Sequence, residues 1–230
     1  MKKILIGLLT IVLVISITGC KKEEKGSIAF KKDYESINGK ENAYGKIHRT
    51  ITLPEDNVFD ETTSSEVLKK IKNKDTFYVY FGSRLCPWCR SVIEKANEVA
   101  MDMGISKVYY VDIWDDDGNE ILRSKYTLDD NNKPKLEKEG TSDYIEFLEI
   151  FKDLLSDYTL ADSNGNKVEV GEKRIYAPNF IYIENGVAKK LVSGTSDKQK
   201  DSREELTDEM LKDEETIFKS FFTEVCDESC

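Results

Sequence analysis

The stretch TFYVYFGSRLCPWCRSVIEKANEVAMDM, residues 76–103, decides the fold of the chain. Its first part, residues 76–81, is a continuous run of β-branched and aromatic residues, which predicts a strand buried on both faces. From residue 87 to residue 103, apolar residues recur at intervals of three and four, and Gly104 follows them. That spacing predicts an amphipathic helix that ends at the glycine. The two cysteines of residues 86–89 therefore lie where a buried strand gives way to a helix.

The Cys-Pro-Trp-Cys segment contains the residue types that thiol–disulfide exchange requires. Cys86 is predicted at the N-cap of the helix, where free N–H groups and the helix dipole stabilise a thiolate and lower its pKa. Pro87 occupies the first helical position, where no N–H is needed. Cys89, one turn into the helix, is placed to attack a mixed disulfide formed at Cys86. Trp88 offers a flat apolar surface beside the reacting sulfur for a bound polypeptide.

Patterns on either side of this stretch predict further elements of one α/β domain. Thr63 and Glu66 form a capping box, which predicts a helix that ends near Asn73. Asn-Gly dipeptides between apolar runs are typical of tight hairpins. The other predicted strands are 44–53 and 107–113, the predicted hairpins are 159–170 and 180–192, and the other predicted helices are 142–158 and 203–225.

Composition and charge exclude several classes of function. The 230 residues carry a formal net charge of −10, and an acidic surface is a poor match for phosphate backbones, so we expect no nucleic-acid partner. The one histidine, His48, argues against a His-rich metal site and a Ser-His-Asp triad, and we predict it on a strand surface. We expect no cofactor and no metal. Arg84 and Arg90 either help to hold Cys86 as a thiolate or are solvated surface residues.

The first twenty residues predict export and anchoring. Two lysines precede the apolar stretch 4–17, and its fourteen residues span about 21 Å as a helix, less than the ~30 Å hydrocarbon core. A signal peptide over residues 1–19 is therefore favoured over a permanent span. Residues 17–20, Ile-Thr-Gly-Cys, resemble the lipobox of bacterial lipoproteins. This implies that Cys20 is lipidated and anchors the chain at the extracytoplasmic face of the bacterial cell membrane, the alternative being an ordinary signal sequence.

Two segments follow the signal peptide. Residues 20–42 are charged with few apolar residues, which predicts a lipidated N-terminus and a flexible, solvated tether. Residues 43–230 are predicted to form the folded domain. Because disulfides persist outside the cytosol, we predict that Cys226 and Cys230 form either a passive terminal disulfide or a dithiol that exchanges with the first cysteine pair.

A second motif, Tyr176-Ala177-Pro178-Asn179, comes directly before the predicted hairpin at 180–192. Together with Cys-Pro-Trp-Cys, it makes the chain similar to the thioredoxin family over about residues 75–113 and 174–225. The resemblance implies a thioredoxin fold, in which a central mixed sheet is flanked by helices. It also implies a cis proline at Pro178 that lies against the cysteines.

The resemblance further implies the roles of the site residues. Cys86 is expected to attack as a thiolate and Cys89 to resolve the mixed disulfide. Trp88, Ala177 and Pro178 are expected to bind an extended substrate strand.

The chain departs from the family at two places. Thioredoxins usually carry a buried acidic residue six positions before the first cysteine, and this chain has Tyr80 there. The usual proton acceptor for Cys89 is therefore missing. Residues 115–173 are predicted to be an inserted helical and hairpin segment between the βαβ and ββα halves, as in secreted disulfide oxidases. The motif identifies the chemistry but not whether substrates are oxidised, reduced or isomerised.

The sequence therefore predicts a membrane-anchored thiol–disulfide oxidoreductase that acts on exported proteins or on partner redox proteins. One alternative is a redox-inactive accessory or binding lipoprotein of the same fold, similar to those associated with bacteriocin export. Another is a zinc-binding structural module formed by Cys86, Cys89, Cys226 and Cys230.

Overall fold

A computed structural model describes residues 26–223 of the chain. The secondary structure begins with a short helix and ends with a long one. In chain order, the elements are α1 (Ser27–Glu35), β1 (Phe59–Glu61), α2 (Ser64–Lys72), β2 (Phe77–Gly82), α3 (Pro87–Asp102), β3 (Val108–Asp112), β4 (Lys125–Leu128), β5 (Pro134–Lys138), α4 (Ser142–Phe151), β6 (Ser156–Ala161), β7 (Lys167–Arg174), β8 (Asn179–Glu184), β9 (Val187–Val192) and α5 (Asp208–Phe222).

The centre of the structure is a mixed sheet of five strands in the order β1-β3-β2-β8-β9. Strands β1 and β2 run parallel to β3, whereas β8 is antiparallel to β2 and β9 is antiparallel to β8. The strands β4 and β5 pair only with each other, as do β6 and β7. The predicted α/β class, with a mixed sheet flanked by helices, is confirmed.

Strand β2 is buried along its whole length because helices cover both faces of the sheet. Tyr78 and Tyr80 point to one face and belong to a core that includes residues of α1, α3 and α5. Val79 and Phe81 point to the other face and belong to a core that includes residues of α2 and α4. Because successive side chains of a strand point to opposite faces of the sheet, β2 contributes apolar residues to both cores.

The elements nearest to the cysteines match their prediction closely. The capping box of Thr63 and Glu66 is present at the start of α2, and β2, α3 and β3 lie within one or two residues of their predicted bounds. Both predicted Asn-Gly hairpins are present as β6–β7 and β8–β9. Strong local signals therefore fix this part of the fold.

The predicted tether is wrong for residues 26–42. Residues 27–35 form α1, whose buried Phe30 and Tyr34 lie one turn apart on one face. The Phe30 ring stacks on Phe59, with ring centroids 4.6 Å apart, and meets Tyr110 edge-on at 4.9 Å. Two aromatic residues in a charged segment are enough to dock this helix because the sheet presents aromatic rings to receive them.

The predicted first strand over residues 44–53 is also wrong, and the edge strand is instead β1. Ile51 and Leu53 are buried as expected, but side chains satisfy their backbone N–H groups. Asn38 Oδ1 accepts from Ile51 N at 3.1 Å, and Glu35 Oε1 accepts from Leu53 N at 2.8 Å. A segment whose N–H groups are satisfied in this way does not need a strand partner.

Two predicted helices are shorter than expected. Helix α4 ends at Phe151, and the chain enters β6 at Ser156, so the predicted span 142–158 is too long. Helix α5 begins at Asp208 behind its cap Thr207 rather than at residue 203. The hairpin β4–β5 was not predicted because its strands are largely polar and exposed.

The segment between β3 and β8 contains the two small hairpins and α4. The predicted insertion at 115–173 is therefore helical and hairpin in content, but its helix is part of the core. Phe147 and Phe151 of α4 are fully buried and meet Phe81 of β2 edge-on, with ring centroids 5.3 and 6.3 Å apart. Among the described helices, none is long and apolar enough to cross a membrane.

Truncation of Phe30 tests the docking of α1. Phe30→Ala is expected to lower the free energy of unfolding by about 3–5 kcal/mol, because it removes a buried ring from the core. Ile28→Ala, on the exposed side of the same helix, is expected to cost less than about 1 kcal/mol. Urea denaturation of the full chain in detergent measures both values. Equal, small effects would show that α1 is not docked.

Helix α5 buries a carboxyl group that makes no hydrogen bond with any described residue. Glu214 is fully buried. Burial raises its pKa from 4.5 to about 7, although Arg49 and Lys95 act in the opposite direction. The folded state therefore holds the proton in a pH range where the unfolded chain releases it. The contribution of Glu214 to the free energy of unfolding is therefore largest below about pH 4.5, and it decreases as the pH rises towards 7.

Glu214→Gln is expected to remove this pH dependence. At pH 8, the variant gains about 2–3 kcal/mol of unfolding free energy over the wild type, and at pH 4 the two are similar. Denaturation at both pH values measures the difference. The matched control is Glu215→Gln, because the partly exposed Glu215 pairs with Lys219 and its replacement leaves the pH dependence due to Glu214 in place. A constant difference between wild type and Glu214→Gln at both pH values contradicts the prediction.

Candidate active site

The two cysteines occupy the positions that the sequence predicts. Cys86 is the N-cap of α3, with Pro87 in the first turn, and its sulfur accepts a hydrogen bond from the backbone N–H of Cys89 at 3.4 Å. Cys89 lies one turn into the helix and is fully buried, whereas Cys86 is 3% exposed. Both cysteines are free thiols. The site is therefore a dithiol at the N-terminus of a helix.

The surroundings shift the pKa values of the two thiols in opposite directions. The hydrogen bond from the Cys89 thiol lowers the pKa of Cys86, and the N–H groups of Cys89 and Trp88 add to this effect against the cost of burial. Burial raises the pKa of Cys89, and the neighbouring Cys86 raises it further. The arrangement makes Cys86 the thiol that ionises first and Cys89 the proton-bearing partner.

The loop before β8 lies directly against Cys86. The Ala177–Pro178 peptide bond is cis, as predicted, and the Cys86 thiol donates to the Ala177 carbonyl oxygen at 3.5 Å. The Asn179 side chain holds the loop by two hydrogen bonds. Its Oδ1 accepts from Tyr176 N at 2.7 Å, and its Nδ2 donates to the Pro178 carbonyl oxygen at 3.0 Å. The resemblance did not single out Asn179, although it directly follows the proline.

A groove of about 700 Å³ opens beside the motif. Trp88, Ala177 and Pro178 all line it. Residues of the hairpin β6–β7 also line it. Tyr176 connects the loop to this hairpin, since its hydroxyl donates to the Asp157 carbonyl oxygen at 3.0 Å and accepts from Thr159 N at 3.1 Å. The structure thus brings together the three residues predicted to contact a substrate.

The two arginines that bracket the motif have structural partners. Arg84 forms ion pairs with Asp33 at 2.7 Å and Asp116 at 2.8 Å. Arg90 is buried and donates to the carbonyl oxygens of Arg49 and Tyr34 at 2.6–2.9 Å. The second alternative, a solvated surface arginine, is therefore wrong for Arg90.

Arg123 is the arginine that lowers the pKa of Cys86. It is buried in an ion pair with Glu120, and its Nη1 donates to the Ile175 carbonyl oxygen at 3.1 Å, two residues before Ala177. Arg123 could not be singled out from the sequence because it lies 37 positions beyond Cys86 in a weakly patterned segment.

His48 is buried rather than on a strand surface, so that prediction is wrong. Burial lowers its pKa, and the charges of Arg90, Arg203 and Arg84 lower it further. It lines a cavity of about 680 Å³ together with Leu85 and Pro87. No group of three or more His, Cys, Asp or Glu side chains within residues 26–223 has an arrangement that suits a metal ion.

The three other cysteines, Cys20, Cys226 and Cys230, lie outside the described residues. The last described helix ends beside the start of β2, where the Phe222 carbonyl oxygen accepts from the Tyr78 hydroxyl at 3.3 Å. The described chain therefore ends at the opposite end of β2 from Cys86.

Comparison with known proteins assigns no family: no protein-family model matches the chain, and no curated protein matches it.

The acidity of Cys86 is directly measurable. Its thiolate is expected to form below the ordinary pKa of about 8.5 for a cysteine, and the Cys89 thiolate above it. Titration of the thiolate absorbance near 240 nm, taken as the difference between the wild type and Cys86→Ser, isolates the first step. A difference curve centred at or above the ordinary value contradicts the prediction.

Proposed function

We propose that the chain is a membrane-anchored, extracytoplasmic thiol–disulfide oxidoreductase with a thioredoxin fold. The observation that carries the proposal is the Cys86 sulfur, which lies at the N-terminus of α3, contacts Cys89 on one side and contacts the Ala177 carbonyl on the other. An activated thiol, a resolving thiol and an open backbone loop are the three parts that disulfide exchange requires.

The topology supports the fold assignment. A parallel β1-α2-β2-α3-β3 half is joined to an antiparallel β8-β9-α5 half in one sheet, with the cysteines after the central strand. The cis bond before Pro178 is at the position that the thioredoxin family shares. Helix α4 covers the sheet face that the ββα half leaves open.

The proposed reaction proceeds in two exchanges. In the reducing direction, the Cys86 thiolate attacks one sulfur of a substrate disulfide, and the other substrate sulfur leaves as a thiolate. Cys89 then attacks Cys86, which forms the Cys86–Cys89 disulfide and releases the second substrate thiolate. Counted from the dithiol, whose Cys86 proton leaves on ionisation, the motif loses two electrons and two protons, and the substrate gains them. The oxidising direction is the same sequence reversed.

The substrate class follows from the groove. An extended polypeptide in this groove would lie along Trp88 and the loop at Ala177. Its cysteine sulfur would then be close to Cys86, because the Cys86 sulfur contacts the Ala177 carbonyl oxygen. The signal peptide and the lipid on Cys20 would place the chain outside the cytosol. Its substrates would therefore be exported proteins or partner redox proteins.

Trapping of the first intermediate tests the function. Cys89→Ser keeps the attacking thiol but cannot resolve, so it is expected to accumulate mixed disulfides with exported polypeptides. Cys86→Ser is the matched control and is expected to accumulate none at this site. Both variants carry Ser at positions 226 and 230, and adducts from acid-quenched cells are identified by mass spectrometry. An equal adduct yield in the two variants contradicts the proposal.

The reduction potential of the Cys86–Cys89 pair decides the direction. A value near about −120 mV identifies a disulfide donor, and one near about −270 mV identifies a reductase that needs an electron supply. Exchange with neither glutathione nor dithiol buffers contradicts redox function.

The burial of both thiols favours a second candidate, the accessory or binding lipoprotein. In that case Cys86→Ala keeps full cellular function.

The zinc module is distinguished by about one equivalent of bound zinc that is lost in Cys226→Ser.

A further inference from the structure

A buried cluster of charged side chains joins the segment after β3 to the proline loop, residues 175–178. Arg123 and Arg174 both pair with the Glu120 carboxylate, with Arg123 Nε at 2.7 Å and Arg174 Nη2 at 3.8 Å. The three side chains are 5–10% exposed. Burial of charged groups is costly unless the remaining donors find partners, so the other contacts of the two arginines decide what the cluster does.

The remaining donors of the two arginines go to different segments. Arg123 Nη1 donates to the Ile175 carbonyl oxygen in the proline loop at 3.1 Å, whereas Arg174 Nη1 donates to the Ser124 carbonyl oxygen at 2.8 Å. The Glu120 carboxylate accepts from Nε and Nη2 of Arg123. A planar guanidinium held along one edge in this way presents its other donor in a fixed direction.

The segment that carries Arg123 is fixed to the end of β2. Ile113 N donates to the Gly82 carbonyl oxygen at 3.0 Å, and Ile121 N donates to the Ile113 carbonyl oxygen at 3.1 Å. Cys86 lies four positions beyond Gly82. The cysteine motif and the guanidinium are therefore both built from the same end of the strand.

The contact at Ile175 lies close in sequence to the carbonyl that faces Cys86. Ile175 is fully buried, and Ala177, two residues later, accepts from the Cys86 thiol at 3.5 Å. Asn179 also bonds to this loop, but it belongs to β8, the strand that the loop enters. Arg123 instead ties the loop backbone to a separate segment, the one that follows β3.

We propose that Arg123, held by Glu120, is a positioning residue that fixes the Ile175 carbonyl and so sets where the proline loop meets an extended polypeptide substrate. The inference rests on the proposed function and extends it to substrate binding. It also gives the inserted segment a role at the site, because residues 115–173 contain both members of this ion pair.

The role of Arg123 is expected to depend on the kind of substrate. A polypeptide that lies along the proline loop binds through backbone groups in a fixed register, so a displaced loop weakens its alignment with the Cys86 sulfur. A small disulfide needs access to that sulfur alone. Comparison of the two kinds of disulfide therefore separates the position of the loop from the reactivity of Cys86 and from the stability of the fold.

The test compares Arg123→Lys with Arg174→Lys. Lysine at position 123 keeps the positive charge that lowers the pKa of Cys86, but a single ammonium group cannot reproduce the fork that grips the carboxylate and reaches Ile175. Arg174→Lys is the matched control, because it makes the same change in the same cluster at a side chain whose Nη1 donates to the Ser124 carbonyl oxygen. Each variant is the full chain in detergent with Ser at positions 226 and 230.

Two disulfides that release the same chromophore are compared, 5,5′-dithiobis(2-nitrobenzoate) and a short blocked peptide whose central cysteine is joined to 5-thio-2-nitrobenzoate. In each reaction the Cys86 thiolate forms a bond to one sulfur, and 5-thio-2-nitrobenzoate leaves as a thiolate with the electron pair. Arg123→Lys is expected to lower the second-order rate constant for the peptide about tenfold, the effect of one hydrogen bond from a charged group. The rate constant for the small disulfide is expected to stay at the wild-type value.

The ratio of the two rate constants decides the outcome. Equal losses with both disulfides overturn the inference, because they show an effect on Cys86 or on the fold. No loss with either disulfide overturns it as well. If Arg174→Lys changes the ratio as much as Arg123→Lys does, the hydrogen bond to Ile175 is not responsible and the inference fails.

Hydrogen exchange separates this inference from the proposed function. The Tyr176 N–H, which follows the carbonyl that Arg123 holds, is expected to exchange about tenfold faster in Arg123→Lys than in Arg174→Lys. Equal exchange in the two variants overturns the inference. If the wild type reacts with neither disulfide, the proposed function fails while the exchange still tests the hold on the loop. If it reacts with both and the ratio is unchanged in Arg123→Lys, only the role of Arg123 fails.

Discussion

The burial of β2 on both faces is the constraint on which the rest of the structure depends. A strand without a solvent-exposed side chain must be central, and it needs a helix layer on each side. One layer is supplied by α1, α3 and α5 and the other by α2 and α4. Because α3 follows β2 after four residues, its N-terminus and Cys86 lie at the end of the most buried strand.

The buried guanidinium of Arg90 explains why the N-terminal segment belongs to the same unit. Its partners are mainly carbonyl oxygens, including those of Tyr34 and Arg49, and the amide oxygen of Asn38. A buried charge is tolerated only when its donors are satisfied. Residues 34–49 are therefore held against the helix that carries the cysteines, although few of them are apolar.

The limits of sequence-based prediction follow from the same contacts. The strand before the motif, helix α3 and both Asn-Gly hairpins could be predicted because each depends on spacing within a short window. Cys86, Trp88 and the cis bond at Pro178 follow from motifs. The docking of α1 could not be predicted, because it depends on rings from distant strands. Arg123 reaches the site by the same kind of long-range contact, through a carbonyl beside the proline loop.

The buried hydroxyl of Tyr80 ties the N-terminal helix to the central strand. A buried tyrosine needs a hydrogen-bonding partner for its hydroxyl, because an unsatisfied polar group in the core is costly. That partner is Tyr34, 2.9 Å away, on a helix that the sequence alone assigns to a tether. The segment that follows the predicted signal peptide therefore completes the core on one face of β2. Loss of α1 would leave the Tyr80 hydroxyl without this partner and would also remove the buried Phe30 from the core, so we expect it to destabilise the fold.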